Sequence, residues 1–114
     1  MDEDKSIYNT EMQKKRQTDL AKRSRYYQAM IDTSLLEPGI PNYNILNRSF
    51  IIIITPFDPF GLGLYRYTFN YKCEERPECG LNDGATKIFL NTRGTNPEEV
   101  SPELVEFLHY LENT

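Results

Sequence analysis

Glu11-Met12-Gln13 places a carboxylate and an amide two positions apart, and Lys14-Lys15-Arg16 follows at once. In an extended segment, residues two apart project to the same side, so Glu11 and Gln13 stand next to each other. A carboxylate there, with a backbone carbonyl, offers the hard oxygen ligands that Mg²⁺ requires. A polar group beside it can position a water for attack. The three cations suit phosphate oxygens and can orient a nucleic-acid strand. The same residues also make an ordinary solvated strand end, so the elements that position them must decide.

The bulk of the sequence bounds those elements. With 114 residues the chain has the length of one compact domain, residues 1–114. A hydrophobic content of 39% and a charged content of 26% are those of a globular chain rather than a disordered one. The net charge of -4 gives no global attraction to nucleic acid, but its distribution is uneven. Between positions 14 and 25 stand Lys14, Lys15, Arg16, Lys22, Arg23 and Arg25 against Asp19 alone, while acidic residues collect near the two ends. A local basic stripe on an acidic protein can hold phosphates. Cys73, Cys79 and the distant His109 do not match the close four-ligand spacing of structural zinc. They are read as free thiols in a reducing compartment and a packing histidine. The longest apolar run, residues 50–54, is far too short to cross a bilayer. A cytoplasmic protein with no membrane partner is expected.

Residues 7–13 alternate, with Tyr8, Thr10 and Met12 on one face and Ile7, Asn9, Glu11 and Gln13 on the other. From 19 to 36 the period becomes helical, with Leu20, Ser24, Tyr27, Ile31 and Leu35 on one stripe and Met30 beside it. Asp19 is the expected N-cap, and Pro38-Gly39 stops the helix. Residues 49–55, Ser-Phe-Ile-Ile-Ile-Ile-Thr, are β-branched and apolar on both faces, the pattern of a central strand covered on two sides. Prolines and glycines in 56–64 break it. Residues 65–71 alternate again, with Tyr65, Tyr67, Phe69 and Tyr71 on one face. Asn82-Asp83-Gly84 marks a turn, and 86–91 is another strand. Ser101-Pro102-Glu103 opens a closing helix with Leu104, Leu108 and Leu111 as its core stripe. The order β-α-β-β-β-α predicts an α/β fold, a mixed sheet with flanking helices.

The segments YNTEMQ, LAKRSRYYQAMI, SFIIIITPFDPFG, YRYTFNYKCEE, LNDGATKIFLNTRG and VSPELVEFLHYL, in that order and spacing, resemble the transposase-like branch of the PD-(D/E)XK nuclease superfamily, the recombination-promoting nucleases. The resemblance runs over residues 7–111. In that branch the lysine of (D/E)-x-K is replaced by glutamine, which falls here on Glu11 and Gln13. An arginine and paired tyrosines on the next helix fall on Arg23, Tyr26 and Tyr27. The resemblance implies a restriction-endonuclease-like core, a Mg²⁺-dependent DNA endonuclease with Glu11 as metal ligand, Gln13 orienting water, and Lys14, Lys15, Arg16 and Arg23 on DNA phosphates.

The superfamily pattern also requires an aspartate on the strand before Glu11. Asp2 and Asp4 fall where a hairpin turn is expected instead. The chain is therefore expected to be the C-terminal part of such a nuclease domain and catalytically incomplete alone. The competing expectations are a non-catalytic fragment that pairs with a full-length relative through its sheet edge or helix face, as a homo- or hetero-oligomer, and a DNA-binding module without catalysis. For Tyr26 and Tyr27 packing of the helix on the sheet is the expectation.

Overall fold

The computed structural model describes residues 6–36, 39, 42, 43 and 46–113. Elements follow the expected order: β1 (Ile7–Met12), α1 (Leu20–Leu35), β2 (Ser49–Thr55), β3 (Arg66–Phe69), β4 (Ala85–Asn91) and α2 (Pro102–Glu112), with a 3-10 turn at Pro97–Glu99 before α2. Among the described residues the strands form one mixed sheet in the order β1-β2-β4-β3. β1 and β4 both run parallel to β2, and β3 is antiparallel to β4. The chain is α/β, with one helix on each face of the sheet. No helix among the described residues is long and apolar enough to cross a membrane. Asp2 and Asp4 lie outside the described residues.

The isoleucine run explains this layering. Ile51 and Ile53 are each 1% exposed and cluster with Leu20, Tyr67 and Phe89, against which Tyr27 and Ile31 of α1 pack. Ile54 faces the other way and clusters with Tyr65, Leu90 and Leu108, with Leu104, Val105 and Leu111 of α2 alongside. A strand apolar on both faces must be flanked by strands and covered twice, and β2 is. Ser101 caps α2 as expected, its hydroxyl accepting from the Leu104 N–H at 3.1 Å. Asp19 is the N-cap residue of α1 as expected, but its side chain makes no capping hydrogen bond; its carboxylate accepts from Arg23 Nε at 3.1 Å instead. Met30, beside the α1 stripe, is half exposed.

Two expectations are corrected. The strand read over 65–71 is shorter, Arg66–Phe69, and Tyr65 does not share a face with Tyr67. The Tyr65 N–H donates to Asn96 Oδ1 at 2.8 Å, and its ring joins the α2 side, where its hydroxyl lies 3.0 Å from His109 Nε2. Gly94 makes room for this: a Cβ there would sit 2.4 Å from the Tyr65 ring. Tyr26 does not pack on the sheet but is 64% exposed.

The proline- and glycine-rich turn after β2 is organised by one carboxylate. Asp58 accepts from the N–H groups of Phe60 (3.1 Å), Gly61 (2.9 Å) and Gly63 (2.7 Å), and from the Tyr67 hydroxyl (2.7 Å). Gly61 and Gly63 take the positive φ angles (79° and 76°) that let these N–H groups converge. Burial pushes the Asp58 carboxyl up, but the bonds from Tyr67, Gly63, Gly61 and Phe60 together outweigh it and hold it below its ordinary value. A carboxyl lowered in the folded state stabilises the fold above its unfolded value, near about 3.9, and loses that contribution as pH falls through the folded value. Asp58→Asn is therefore expected to cost about 1–3 kcal/mol at neutral pH. The gap to the wild type should narrow in acid, as read by denaturant unfolding across a pH series.

Candidate functional site

β1 is an edge strand, paired through Glu11 with Ile53 and through Met12 with Ile54. Parallel partners share a face, so Ile7, Asn9 and Glu11 point to the α1 side with Ile51 and Ile53, and Tyr8, Thr10 and Met12 to the α2 side. Gln13 continues the ladder, its N–H donating to the Ile54 carbonyl at 2.9 Å, so its side chain follows that of Glu11.

The two side chains meet as their spacing requires. Gln13 Nε2 donates to Glu11 Oε1 at 2.8 Å. The same oxygen accepts from the Tyr27 hydroxyl, also at 2.8 Å. Tyr27 reaches it because the crossover from β1 to β2 lays α1 over this face, with the Tyr27 ring against the Ile51–Ile53 cluster. Its hydroxyl therefore does more than the packing expected of it. Hydrogen bonding to the Glu11 carboxylate raises the Tyr27 pKa, burial adds to this, and Arg23 opposes it. Glu11 is thus held by two neutral donors on one oxygen, in a half-buried position at the sheet edge.

The cations divide. Lys14 and Lys15 are exposed directly after this site, and Arg16, also exposed, lies over the Phe57 ring with its guanidinium carbon 4.9 Å from the centroid. Arg16 is thereby oriented beside the end of β2. Arg23 is committed to Asp19, which raises its pKa further. Lys22 and Arg25 are exposed on α1.

As a Mg²⁺ site the donor set is short. Mg²⁺ takes oxygen ligands in octahedral geometry and is usually held by one or two carboxylates together with substrate phosphates. Among the described residues no group of three or more His, Cys, Asp or Glu side chains could hold a metal ion. Glu11 supplies one carboxylate, and the groups nearest to it, the Gln13 amide nitrogen and the Tyr27 hydroxyl, present hydrogens to it rather than further oxygens to a cation. Asp58 is spent on its own turn. The described residues do not by themselves fit the ion.

A cavity of ≈ 570 Å³ lies at the opposite end of the parallel strands, lined by Gln28, Asp32, Ser49, Phe69 and Lys87 among others. Gln28 spans it, donating to Ser49 Oγ at 2.8 Å and to Asp32. It does not include Glu11, Gln13 or Tyr27. Cys73 and Cys79 are free and sit opposite one another in the loop before β4, the Cys73 N–H bonded to the Cys79 carbonyl at 2.9 Å.

Comparison of the chain with family models, with curated proteins and with solved structures finds no match.

The bond from Tyr27 to Glu11 has a spectroscopic signature. Glu11→Gln removes the negative charge that disfavours the phenolate, so the Tyr27 pKa should move down toward the ordinary tyrosine value of about 10. Tyr27→Phe identifies the resonance in a ring-labelled NMR titration and is expected to cost about 1 kcal/mol of stability. A Tyr27 titration unmoved by Glu11→Gln would rule the bond out.

Proposed function

We propose that the chain is part of a Mg²⁺-dependent DNA endonuclease of the transposase-like PD-(D/E)XK kind, acting in the cytoplasm. In this reading it contributes one metal-binding carboxylate and a phosphate-binding segment. The observation that carries it is the fixing of Glu11, which Gln13 and Tyr27 hold by one oxygen on a sheet edge, with Lys14, Lys15 and Arg16 next in the chain. A carboxylate needs such fixing when it is a ligand, because supporting hydrogen bonds set a ligand's orientation. The order of segments that resembles the nuclease family supports the same reading.

Each residue then has a distinct task. Glu11 would be the metal-binding carboxylate, its second oxygen taking neither the Gln13 nor the Tyr27 bond. Gln13 and Tyr27 are positioning residues for Glu11, and Gln13 would also orient the attacking water. Lys14, Lys15 and Arg16 hold the DNA backbone, and Arg23 joins them on leaving Asp19. Because one carboxylate does not organise Mg²⁺ for in-line attack, the chain binds DNA without cutting it and depends on a further carboxylate for hydrolysis.

DNA binding by the basic segment is expected to weaken steeply with salt, since each neutralised phosphate releases counterions. Replacing Lys14, Lys15 and Arg16 together with Ala should flatten the log–log salt slope by about 2–3. A slope unchanged by the triple substitution would reduce the segment to a solvated face. With Mg²⁺ and supercoiled plasmid, the 114-residue chain should show no nicking above background. Strong nicking that Glu11→Ala abolishes would overturn the incomplete site.

A further inference from the structure

The outer edge of β1 is open among the described residues. The Ile7 N–H bonds to the Arg48 carbonyl (2.8 Å) and the Gln13 N–H to the Ile54 carbonyl (2.9 Å), so the odd-numbered residues of β1 direct their backbone groups at β2. By the alternation of a ladder, Tyr8, Thr10 and Met12 direct theirs away from the sheet. Ile7–Met12 contains no proline, lysine or arginine, and its one charged residue, Glu11, is tied to Gln13 and Tyr27 on the α1 face. Tyr8 is 61% exposed and Met12 36% exposed. Tyr8 stacks on Phe50 with ring centroids 4.9 Å apart, and the Arg48 guanidinium lies over the Phe50 ring.

We propose that a second copy of this chain pairs with β1, antiparallel and about a two-fold axis at Thr10. The strand is self-complementary in that register. Thr10 meets Thr10, and Tyr8 meets Met12 of the second copy, with all three residues exchanging the backbone bonds that point outward. The exposed Tyr8 ring gains a thioether neighbour, a favourable sulfur–aromatic contact. On the α1 side, Asn9 stands opposite Glu11 of the second copy in the close, non-hydrogen-bonded position, so an amide donor meets a carboxylate. Charge agrees with this order. In this register the one charged residue of the strand, Glu11, meets an amide and not its own copy. Registers centred on Asn9 or Glu11 direct the outward groups equally well but set Tyr8 opposite Thr10 or outside the strand, losing its apolar partner. The pairing joins two four-stranded sheets into one and adds an Asn9 side chain from the second copy to each Glu11. This last consequence rests on the nuclease reading, in which a strand carrying the further carboxylate would compete for the same edge.

Sedimentation over a concentration series, without DNA or metal, tests the pairing independently of that reading. The chain should pass reversibly to twice its single-chain mass. Thr10→Pro removes only an outward N–H, which a sheet edge tolerates, and should raise the dissociation constant at least about tenfold with the circular dichroism spectrum unchanged. Tyr8→Lys should do the same by a different route. In a Cys73→Ser, Cys79→Ser background, Thr10→Cys should oxidise to a covalent dimer much faster than Met12→Cys, because only position 10 faces itself at the separation a disulfide accepts. A chain that stays monomeric, a dimer indifferent to both edge substitutions, or equal cross-linking at positions 10 and 12 would overturn the proposal.

Discussion

The whole arrangement depends on the burial of Ile51–Ile54 from both sides. Four β-branched apolar side chains in succession leave no polar face, so the strand that carries them cannot lie on the surface or at an edge. β1 and β4 close its two edges, α1 covers Ile51 and Ile53, and α2 covers Ile54. Each β-branched side chain deeply buried in this way contributes roughly 1.5–3 kcal/mol, so the run outweighs any local preference of its neighbours.

The position of the candidate site follows from that constraint. With β2 central, the parallel crossover from β1 must carry α1 over one face, and this brings the Tyr27 hydroxyl onto Glu11 across sixteen positions of sequence. Glu11 is therefore fixed by the same packing that buries Ile53, its register partner. Its neighbours are neutral donors, which orient a carboxylate without discharging it. The cations come later in the chain, where the strand has ended: Lys14 and Lys15 are exposed there, and Arg16 lies over the Phe57 ring.

The turns around β3 and β4 are organised around polar groups instead. Asp58 gathers three N–H groups and a hydroxyl in the turn after β2, while Asn91 and Asn96 are buried against the turns around β3 and β4. The Asn91 side chain donates to the Leu64 carbonyl and accepts from the Arg93 N–H, and Asn96 accepts from Tyr65. Arg93 and Thr92 in turn hold Glu112 at the end of α2. Buried polar groups satisfied in this way specify one chain path, because every alternative leaves at least one of them unpaired.

Local periodicity made much of this legible from the sequence. The alternation of 7–13 assigns Glu11 and Gln13 to one face, the unbroken isoleucines require a covered strand, Ser101-Pro102 starts α2, and Asn82-Asp83-Gly84 turns with positive φ at Asn82 and Gly84. Each of these is dictated by residues within one or two turns of chain, where sterics and side-chain spacing act directly. Tertiary structure alone decided the rest. The insertion of β4 between β2 and β3, the transfer of Tyr65 to the α2 side, the exposure of Tyr26 beside a bonded Tyr27, and the four donors on Asp58 depend on which distant segments come to lie together. No spacing in the sequence encodes those meetings, because they are set by the one packing that buries both faces of β2 and leaves its polar neighbours bonded.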